Sequence, residues 1–299
     1  MRSFAFAIAY WAMSIFYALV TAFMALIPGR GPMGFALRLY TQRMVWAMRW
    51  IAGIRIEVKG KDRMPEGAFI IGAKHHSWGD GFVMFANVPN LVFVTGDHLE
   101  RIPLLRGILR KFGAIVVDNC GGPEARRALS EKAAAASADG RRILIYPEGN
   151  LAKPGERFRY RTGIFYMYRD FGMPVVPVAT NLGVFWTQQE FKKTPGVATV
   201  EFLEPIQPGL DRGEFLRLLE HRVETRTQEL IAEATGQPVT PSVLVPAPDA
   251  TGQAIEVRYK VIKGATHFFE NDLDTIGKLV HDYLTEKMAP AAVAATVAR

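Results

Sequence analysis

The sequence has a single cysteine, Cys120, among its 299 residues. One cysteine cannot form a disulfide within the chain, so a disulfide-stabilised scaffold is excluded. A zinc site built on several cysteine ligands is excluded for the same reason, and the default environment is a reducing one. The composition also excludes disorder as the dominant state, because 49% of the residues are hydrophobic and only 22% are charged.

Acidic residues are scarce near the N-terminus: the first 63 residues hold nine Lys and Arg but only Glu57 and Asp62. This imbalance accounts for the net charge of +7 of the whole chain. Charge is absent from Phe4 to Ile27, 24 residues that would form a helix about 36 Å long. An apolar run beside basic residues is typical of attachment to an anionic membrane. Nucleic-acid binding is not expected, because it would need basic and aromatic residues spread over a folded face.

The apolar run has three interpretations. A cleaved signal peptide fits poorly, since only Arg2 precedes the run and no small-x-small site follows it. A helix that crosses the membrane and a helix that lies in one leaflet both remain open. Residues 33–51 predict a second, interfacial helix, separated from the first by the Pro-Gly segment 28–32. We expect a membrane-embedded helical hairpin over 1–53, in the inner membrane, with the rest of the chain on the cytoplasmic side because basic residues follow the first helix.

Residues 54–238 predict one α/β domain with a largely parallel sheet flanked by helices, because short apolar runs alternate with helical stretches. The predicted strands are Ile54–Lys59, Ala68–Ala73, Leu91–Thr95, Ala114–Asp118, Ile143–Pro147, Val175–Thr180 and Ala198–Phe202. The predicted helices are Gly81–Asn87, Leu104–Phe112, Pro123–Ala138, Tyr160–Phe171 and Arg212–Ala234. Residues 239–299 predict a linker and a small β–α appendage.

The strongest chemical signal is the segment KHHSWGD at positions 74–80, directly after a predicted strand. His75 and Asp80 would not share one helical face, because a step of five residues turns about 500°. They can meet if His75 lies in the turn and Asp80 in the first turn of the next helix. A carboxylate bonded to one imidazole nitrogen leaves the other nitrogen as a base.

The sequence shows neither a serine nucleophile nor further metal ligands, which limits the reactions that this segment can catalyse. No serine stands in a Gly-x-Ser-x-Gly setting, so the substrate would have to bring the hydroxyl. A metal held by His75, His76 and Asp80 would need support from another cluster of His, Asp or Glu, and we expect none. The pair therefore suits direct acyl transfer from a thioester to an alcohol.

Three later segments complete an ordered set with positions 74–80: FGAIVVD at 112–118, YPEGN at 146–150 and VVPVA at 175–179. Together they resemble the four blocks of the lysophospholipid acyltransferase family, whose best-known members are 1-acylglycerol-3-phosphate O-acyltransferases. The resemblance covers residues 55–233 and is closest to the bacterial branch. It implies transfer of a fatty acyl group from acyl-CoA or acyl-carrier-protein, as co-substrate and without a cofactor, to the free hydroxyl of a lysolipid in phospholipid biosynthesis, the first expectation being 1-acylglycerol-3-phosphate.

The resemblance also implies roles for individual residues. The catalytic pair falls on His75 and Asp80, and backbone N–H groups where the next helix begins could face the developing oxyanion. The implied substrate-binding residues are Lys74, Gly113, Asp118, Asn119, Glu148, Gly149, Asn150 and Pro177.

The chain departs from the family pattern where Asn119 and Leu151 stand in place of arginine. Either Lys153, Arg157, Arg159 or Arg161 supplies that charge, or the acceptor is a non-phosphate lysolipid such as a lyso-ornithine lipid. A lipid esterase or thioesterase and a non-enzymatic lipid-binding protein are the rival functions. Residues 255–288 resemble the end of an α/β-hydrolase with His267 as its histidine, although no nucleophile completes that triad.

Overall fold

The computed structural model describes residues 1–96, 99–100, 103–117 and 123–247. The predictions for Asp118, Asn119 and Cys120, and those for the C-terminal segment with His267, lie outside the described residues. All statements below concern the described part of the chain.

A seven-stranded sheet forms the centre of the described chain. Its strands are β1 Ile54–Lys59, β2 Ile70–Ala73, β3 Leu91–Gly96, β4 Ile115–Val117, β5 Arg142–Ile145, β7 Val175–Thr180 and β8 Gly196–Phe202. Their order in the sheet is β1-β8-β7-β2-β5-β3-β4. Strands β7, β2, β5, β3 and β4 are mutually parallel, whereas β8 runs antiparallel to β7 and parallel to β1. The predicted α/β class with a largely parallel sheet is therefore confirmed.

Both faces of the sheet are covered, which explains why its strands are apolar without alternation. Ile70, Ile143 and Val175 are buried on one face beside helices α5, α6 and α8. The residues that follow them, including Ile71 and Leu144, are buried on the other face beside the N-terminal helices and α3. These helices are α3 Gly79–Asn87, α4 Pro103–Phe112, α5 Pro123–Ala138, α6 Gly163–Phe171, α7 Leu182–Phe185 and α8 Arg212–Thr235.

The N-terminal residues form two helices that pack against each other, α1 Arg2–Met24 and α2 Gly31–Ala47. A π-helical turn, Met48–Ala52, follows α2. Helix α1 is long and apolar enough to cross a membrane by length and composition. One side of it nevertheless packs on the domain, where Phe6 is buried in the core. Its other side exposes a row of large apolar residues, namely Phe4, Ile8, Trp11, Ile15, Leu19 and Phe23.

The domain continues beyond residue 238, where the sequence predicts a linker. A short parallel pair joins β6 Glu156–Arg157 to β9 Val243–Leu244. Ser242 is buried and its hydroxyl donates to Glu224 of α8 at 2.8 Å. Residues 242–244 thus contact the predicted domain, although a two-residue strand held by side-chain hydrogen bonds leaves no periodic signal in the sequence.

Candidate active site

His75 and Asp80 meet at the carboxyl end of β2. The strand ends at Ala73 and α3 begins at Gly79, so His75 lies in the connecting turn and Asp80 in the first helical turn. The distance from His75 Nδ1 to Asp80 Oδ2 is 3.1 Å. This is the arrangement that the sequence analysis requires for their contact. The turn between the strand and the helix brings Asp80 back to His75, whereas a continuous helix would point it away.

Asp80 organises the whole turn through one oxygen. Its Oδ2 accepts hydrogen bonds from the backbone N–H groups of His76 and Ser77, both at 2.8 Å, as well as the contact from His75. The carboxylate is buried, so these donors replace its hydration. Because the carboxylate accepts, Nδ1 of His75 carries the proton, and Nε2 is left with the lone pair of a base.

The ring of His75 rests on Tyr146, which follows β5. The two ring centroids are 3.8 Å apart and the planes differ by 12°. Burial, with a contribution from Asp80, raises the pKa of Tyr146 well above its usual value, so this support stays neutral. The side chain of His75 keeps 21% of its surface exposed. A fixed imidazole with an accessible edge suits proton transfer to and from a bound substrate.

The oxyanion site expected at the start of the helix is not formed by the amides of residues 76–80, because each of them already has a partner. Asp80 takes the amides of His76 and Ser77, and Ser77 Oγ takes that of Gly79 at 3.0 Å. The amide of Trp78 donates to the Gln188 carbonyl at 3.1 Å, and that of Asp80 donates to the Ser77 carbonyl at 3.1 Å. These donors hold the turn rather than a reacting group.

Lys74 and Glu148, both predicted to bind substrate, lie in the interior and contact each other. Lys74 Nζ donates to Glu148 Oε2 at 3.1 Å and to Glu224 Oε1 at 2.9 Å, and both lysine and Glu148 side chains are fully buried. The hydroxyl of Tyr160 also donates to Glu224, at 3.1 Å. Desolvated opposite charges pair within the protein here, so the two residues form a buried ionic cluster beneath the turn that carries His75, and their role in substrate binding stays a prediction.

Burial raises the pKa of Glu148 to about 7, although Lys74 lowers it and Glu224 raises it further. The folded state therefore binds this proton more tightly than the unfolded state, and Glu148 makes the protein less stable as pH rises from about 4.5 to about 7. The loss from this group is about 3 kcal/mol. We expect Glu148→Gln to gain stability relative to the wild type across that interval, measured by urea unfolding in detergent; a difference that does not vary with pH would contradict the assignment.

The remaining predicted residues are spread over different parts of the sheet. Gly149 and Asn150 follow β5 and lie in the same loop as Tyr146, beside His75. Gly113 lies two residues before β4, so it is at the amino ends of the parallel strands, opposite the end that carries His75. Pro177 is buried within β7, in register with Gly72. Topology thus places Gly113 away from the turn that carries His75, and Pro177 lies inside the sheet.

Gln188 is a site residue that the sequence analysis missed. Its backbone has a φ of 45°, which is unusual for a residue other than glycine. Its N–H donates to the His76 carbonyl at 2.7 Å. Its side-chain Nε2 donates to the Leu151 carbonyl at 2.8 Å. Gln188 therefore links the turn that carries His75 to the loop after β5. No sequence motif marks this role, because both contacts are with residues distant in the chain.

We expect Gln188→Ala to lower kcat about tenfold, because a small displacement of a catalytic group costs that much or more. The unfolding midpoint should shift by less than about 2 °C, since the backbone contacts remain. Gln237→Ala, an exposed position after α8, is the control. Turnover unchanged in Gln188→Ala would show that the side-chain link to Leu151 does not position the site.

Three comparisons show which known proteins the chain is similar to. Residues 55–181 match a family model described as Acyltransferase. The chain is 26% identical over 223 residues to a 1-acyl-sn-glycerol-3-phosphate acyltransferase of Pseudomonas aeruginosa, covering 75% of this chain and 86% of that protein. It is 27% identical over 197 residues to the lyso-ornithine lipid O-acyltransferase of the same organism, covering 60% and 75%.

A solved structure shows the same fold. The crystal structure of the 1-acyl-sn-glycerophosphate (LPA) acyltransferase PlsC from Thermotoga maritima superposes with a TM-score of 0.64 at 19% identity, covering 78% of this chain and 98% of that chain. The match over residues 55–181 and the named relatives support an acyltransferase as the class of enzyme. The domain match over residues 55–181 and the relatives named above support the lysophospholipid acyltransferase family.

Proposed function

We propose that the protein transfers a fatty acyl group from an acyl thioester, acyl-CoA or acyl-carrier-protein, to the free hydroxyl of a lysolipid. The observation that carries the proposal is the 3.1 Å contact between His75 Nδ1 and Asp80 Oδ2, which leaves Nε2 free at an exposed edge. The two relatives are named for different acceptors: 1-acylglycerol-3-phosphate carries a phosphate, whereas a lyso-ornithine lipid carries a carboxylate together with an ammonium group. The first acceptor to test is 1-acylglycerol-3-phosphate, and a lyso-ornithine lipid is the alternative.

The reaction needs no protein nucleophile. His75 Nε2 takes the proton of the lysolipid hydroxyl as its oxygen attacks the thioester carbonyl, and the carbon–oxygen bond forms. The tetrahedral intermediate then expels sulfur as the carbon–sulfur bond breaks, and the imidazolium returns the proton to give the free thiol. Asp80 stabilises the transient imidazolium through Nδ1–H. General-base catalysis of this kind contributes about 10²–10⁴ to the rate.

Helix α1 supplies the proposed membrane contact. One face packs on the domain: the rings of Phe6 and Trp186 are 5.3 Å apart, and those of Tyr10 and Trp78 are 6.4 Å apart. Trp78 lies in the catalytic turn itself, so the helix that touches lipid also touches the site. Because only the outer face is apolar and exposed, we propose that α1 lies along one leaflet rather than crossing the bilayer. The basic residues that follow it favour the cytoplasmic side of the inner membrane.

An acceptor panel tests the proposal. Detergent-purified protein is incubated with palmitoyl-CoA and lysophosphatidate, lyso-ornithine lipid or no acceptor, and both free thiol and free fatty acid are followed. Thiol release that requires an acceptor and matches the diacyl product supports acyl transfer. Release of free palmitate at the same rate without acceptor would instead support the rival thioesterase. No turnover with any acceptor would overturn the proposed function.

A further inference from the structure

Tyr146 presents the face of its ring to the face of the His75 ring. The two ring centroids are 3.8 Å apart and the planes differ by 12°, so the phenol covers one side of the imidazole. Tyr146 directly follows β5, and its carbonyl accepts from the Gly149 amide at 3.0 Å. The same loop is joined to His75, whose carbonyl accepts from the Ala152 amide at 2.8 Å. Backbone contacts on both sides therefore hold the two rings against each other.

The polar end of Tyr146 makes no hydrogen bond within the described part of the chain. Its hydroxyl is buried and has no partner there, and the same is true of Asp80 Oδ1. Burial, and after it the charge of Asp80, raises the pKa of Tyr146 well above its usual value, so the phenol stays neutral. Tyr146 thus meets the histidine through the face of its ring and not through its hydroxyl.

The charged groups around the His75 ring leave one of its faces to Tyr146. Among the described residues, Asp80 is the charged side chain that bonds to the ring, and it does so at the edge, through Nδ1. The ammonium of Lys74 is paired within the buried ionic cluster. Burial, followed by the charges of Lys74 and His75, lowers the pKa of His76 well below its usual value, so His76 stays neutral. A cation formed on His75 is therefore met by a carboxylate at the edge and by an aromatic ring on the face.

We infer that Tyr146 is a positioning residue that stabilises the protonated form of His75 through the electron-rich face of its ring. An aromatic face attracts a cation that lies within about 6 Å of the ring centroid, and the two centroids here are 3.8 Å apart. The neutral imidazole lacks this attraction, so the contact strengthens as His75 takes the proton of the lysolipid hydroxyl. The inference rests on the proposed function and gives a role in it to Tyr146, which the sequence analysis did not select as a site residue.

A change in the charge distribution of the ring at nearly constant shape tests this role. Tyr146→Phe keeps the aromatic face and should keep kcat within a factor of two of the wild type. Tyr146→pentafluorophenylalanine, made by stop-codon suppression, fills similar space, but its fluorines reverse the charge of the ring face that attracts a cation. We expect it to lower kcat about three- to tenfold with the KM for lysolipid changed less than twofold, because the lost attraction belongs to the transition state.

The pH profile of kcat/KM separates this effect from a loss of packing. In the fluorinated variant the acidic limb should move about 0.5–1 pH unit lower than in Tyr146→Phe, because the protonated histidine has become less stable. A purely structural defect would lower the plateau without moving the limb. Urea unfolding checks that each variant folds. Tyr146→Leu, which removes the ring, should move the limb in the same direction and provides the test if the fluorinated chain does not fold.

Phe215→pentafluorophenylalanine is the matched control and should change neither kcat nor the acidic limb. Phe215 of α8 is buried and stacks on Tyr168 of α6 with ring centroids 4.2 Å apart. Equal kcat and equal limbs in Tyr146→Phe and the fluorinated variant would overturn the inference. A loss in Tyr146→Phe as large as in the fluorinated variant would also overturn it, because the hydroxyl would then carry the effect.

Both of these outcomes leave the proposed function standing if the wild type releases thiol only when an acceptor is present. Absence of acceptor-dependent thiol release in the wild type would overturn the proposed function and this inference with it.

Discussion

Replacing His75 by alanine should lower acceptor-dependent turnover by about 10²–10⁴, because the lysolipid hydroxyl loses its base. The fold should survive, since the ring is partly exposed and its polar contact in the described chain is with Asp80. The measurement is release of free thiol from palmitoyl-CoA in the presence of lysolipid. Urea unfolding of the same variant checks that the loss is chemical.

His221→Ala is the matched control for this prediction. His221 is an exposed histidine on α8 that has a 3.4 Å contact with Thr225. Its removal should leave turnover within a factor of two of the wild type. If His75→Ala turned over at the wild-type rate, the imidazole would not be the base, whatever its contact with Asp80.

Replacing Lys74 by methionine should cost about 3–5 kcal/mol of the free energy of unfolding, the usual loss when one partner of a buried ion pair is removed. Methionine fills similar space but leaves Glu148 and Glu224 buried near each other without a cation. Lys74 Nζ also donates to the Glu156 carbonyl at 3.0 Å, which would be left unpaired. Thermal and urea unfolding in detergent at pH 8, above the pKa of about 7 of Glu148, measure the effect.

Lys59→Met, at the exposed end of β1, controls for the loss of a lysine and should change stability by less than about 0.5 kcal/mol. A double variant, Lys74→Met with Glu148→Gln, should recover part of the lost stability because one buried negative charge is also removed. Equal losses in the single and the double variant would show that charge imbalance is not the cause.

The sheet and the contact between His75 and Asp80 were predictable because their signals are local. Strands buried on both faces are short runs of β-branched and aliphatic residues, and β1 and β7 have the predicted bounds. His75 and Asp80 are five positions apart, so one strand-to-helix turn decides whether they meet. Helix α8 was equally clear, and its Asp211 caps it by accepting from the Glu214 amide at 2.9 Å.

The contacts that surround the pair were not predictable, because they join distant parts of the chain. Lys74 and Glu224 are 150 residues apart, and Gln188 and Leu151 are 37 apart. Strand order also decides which block residues reach the site: Gly113 precedes its strand, whereas Glu148 and Gly149 follow theirs. The sequence order of motifs carries no information on which end of the sheet each one occupies, or on whether a lysine points inward.

The central claim is that the acyl group passes directly from the thioester to an alcohol activated by His75. The most direct test is the stoichiometry of thiol release by the wild-type protein, first without the acceptor and then after it is added. We predict no burst of thiol before lysolipid is added, and afterwards one thiol for each diacyl lipid formed. A burst equal to the enzyme concentration without acceptor would contradict the account, because it would show that the acyl group first bonds to the protein.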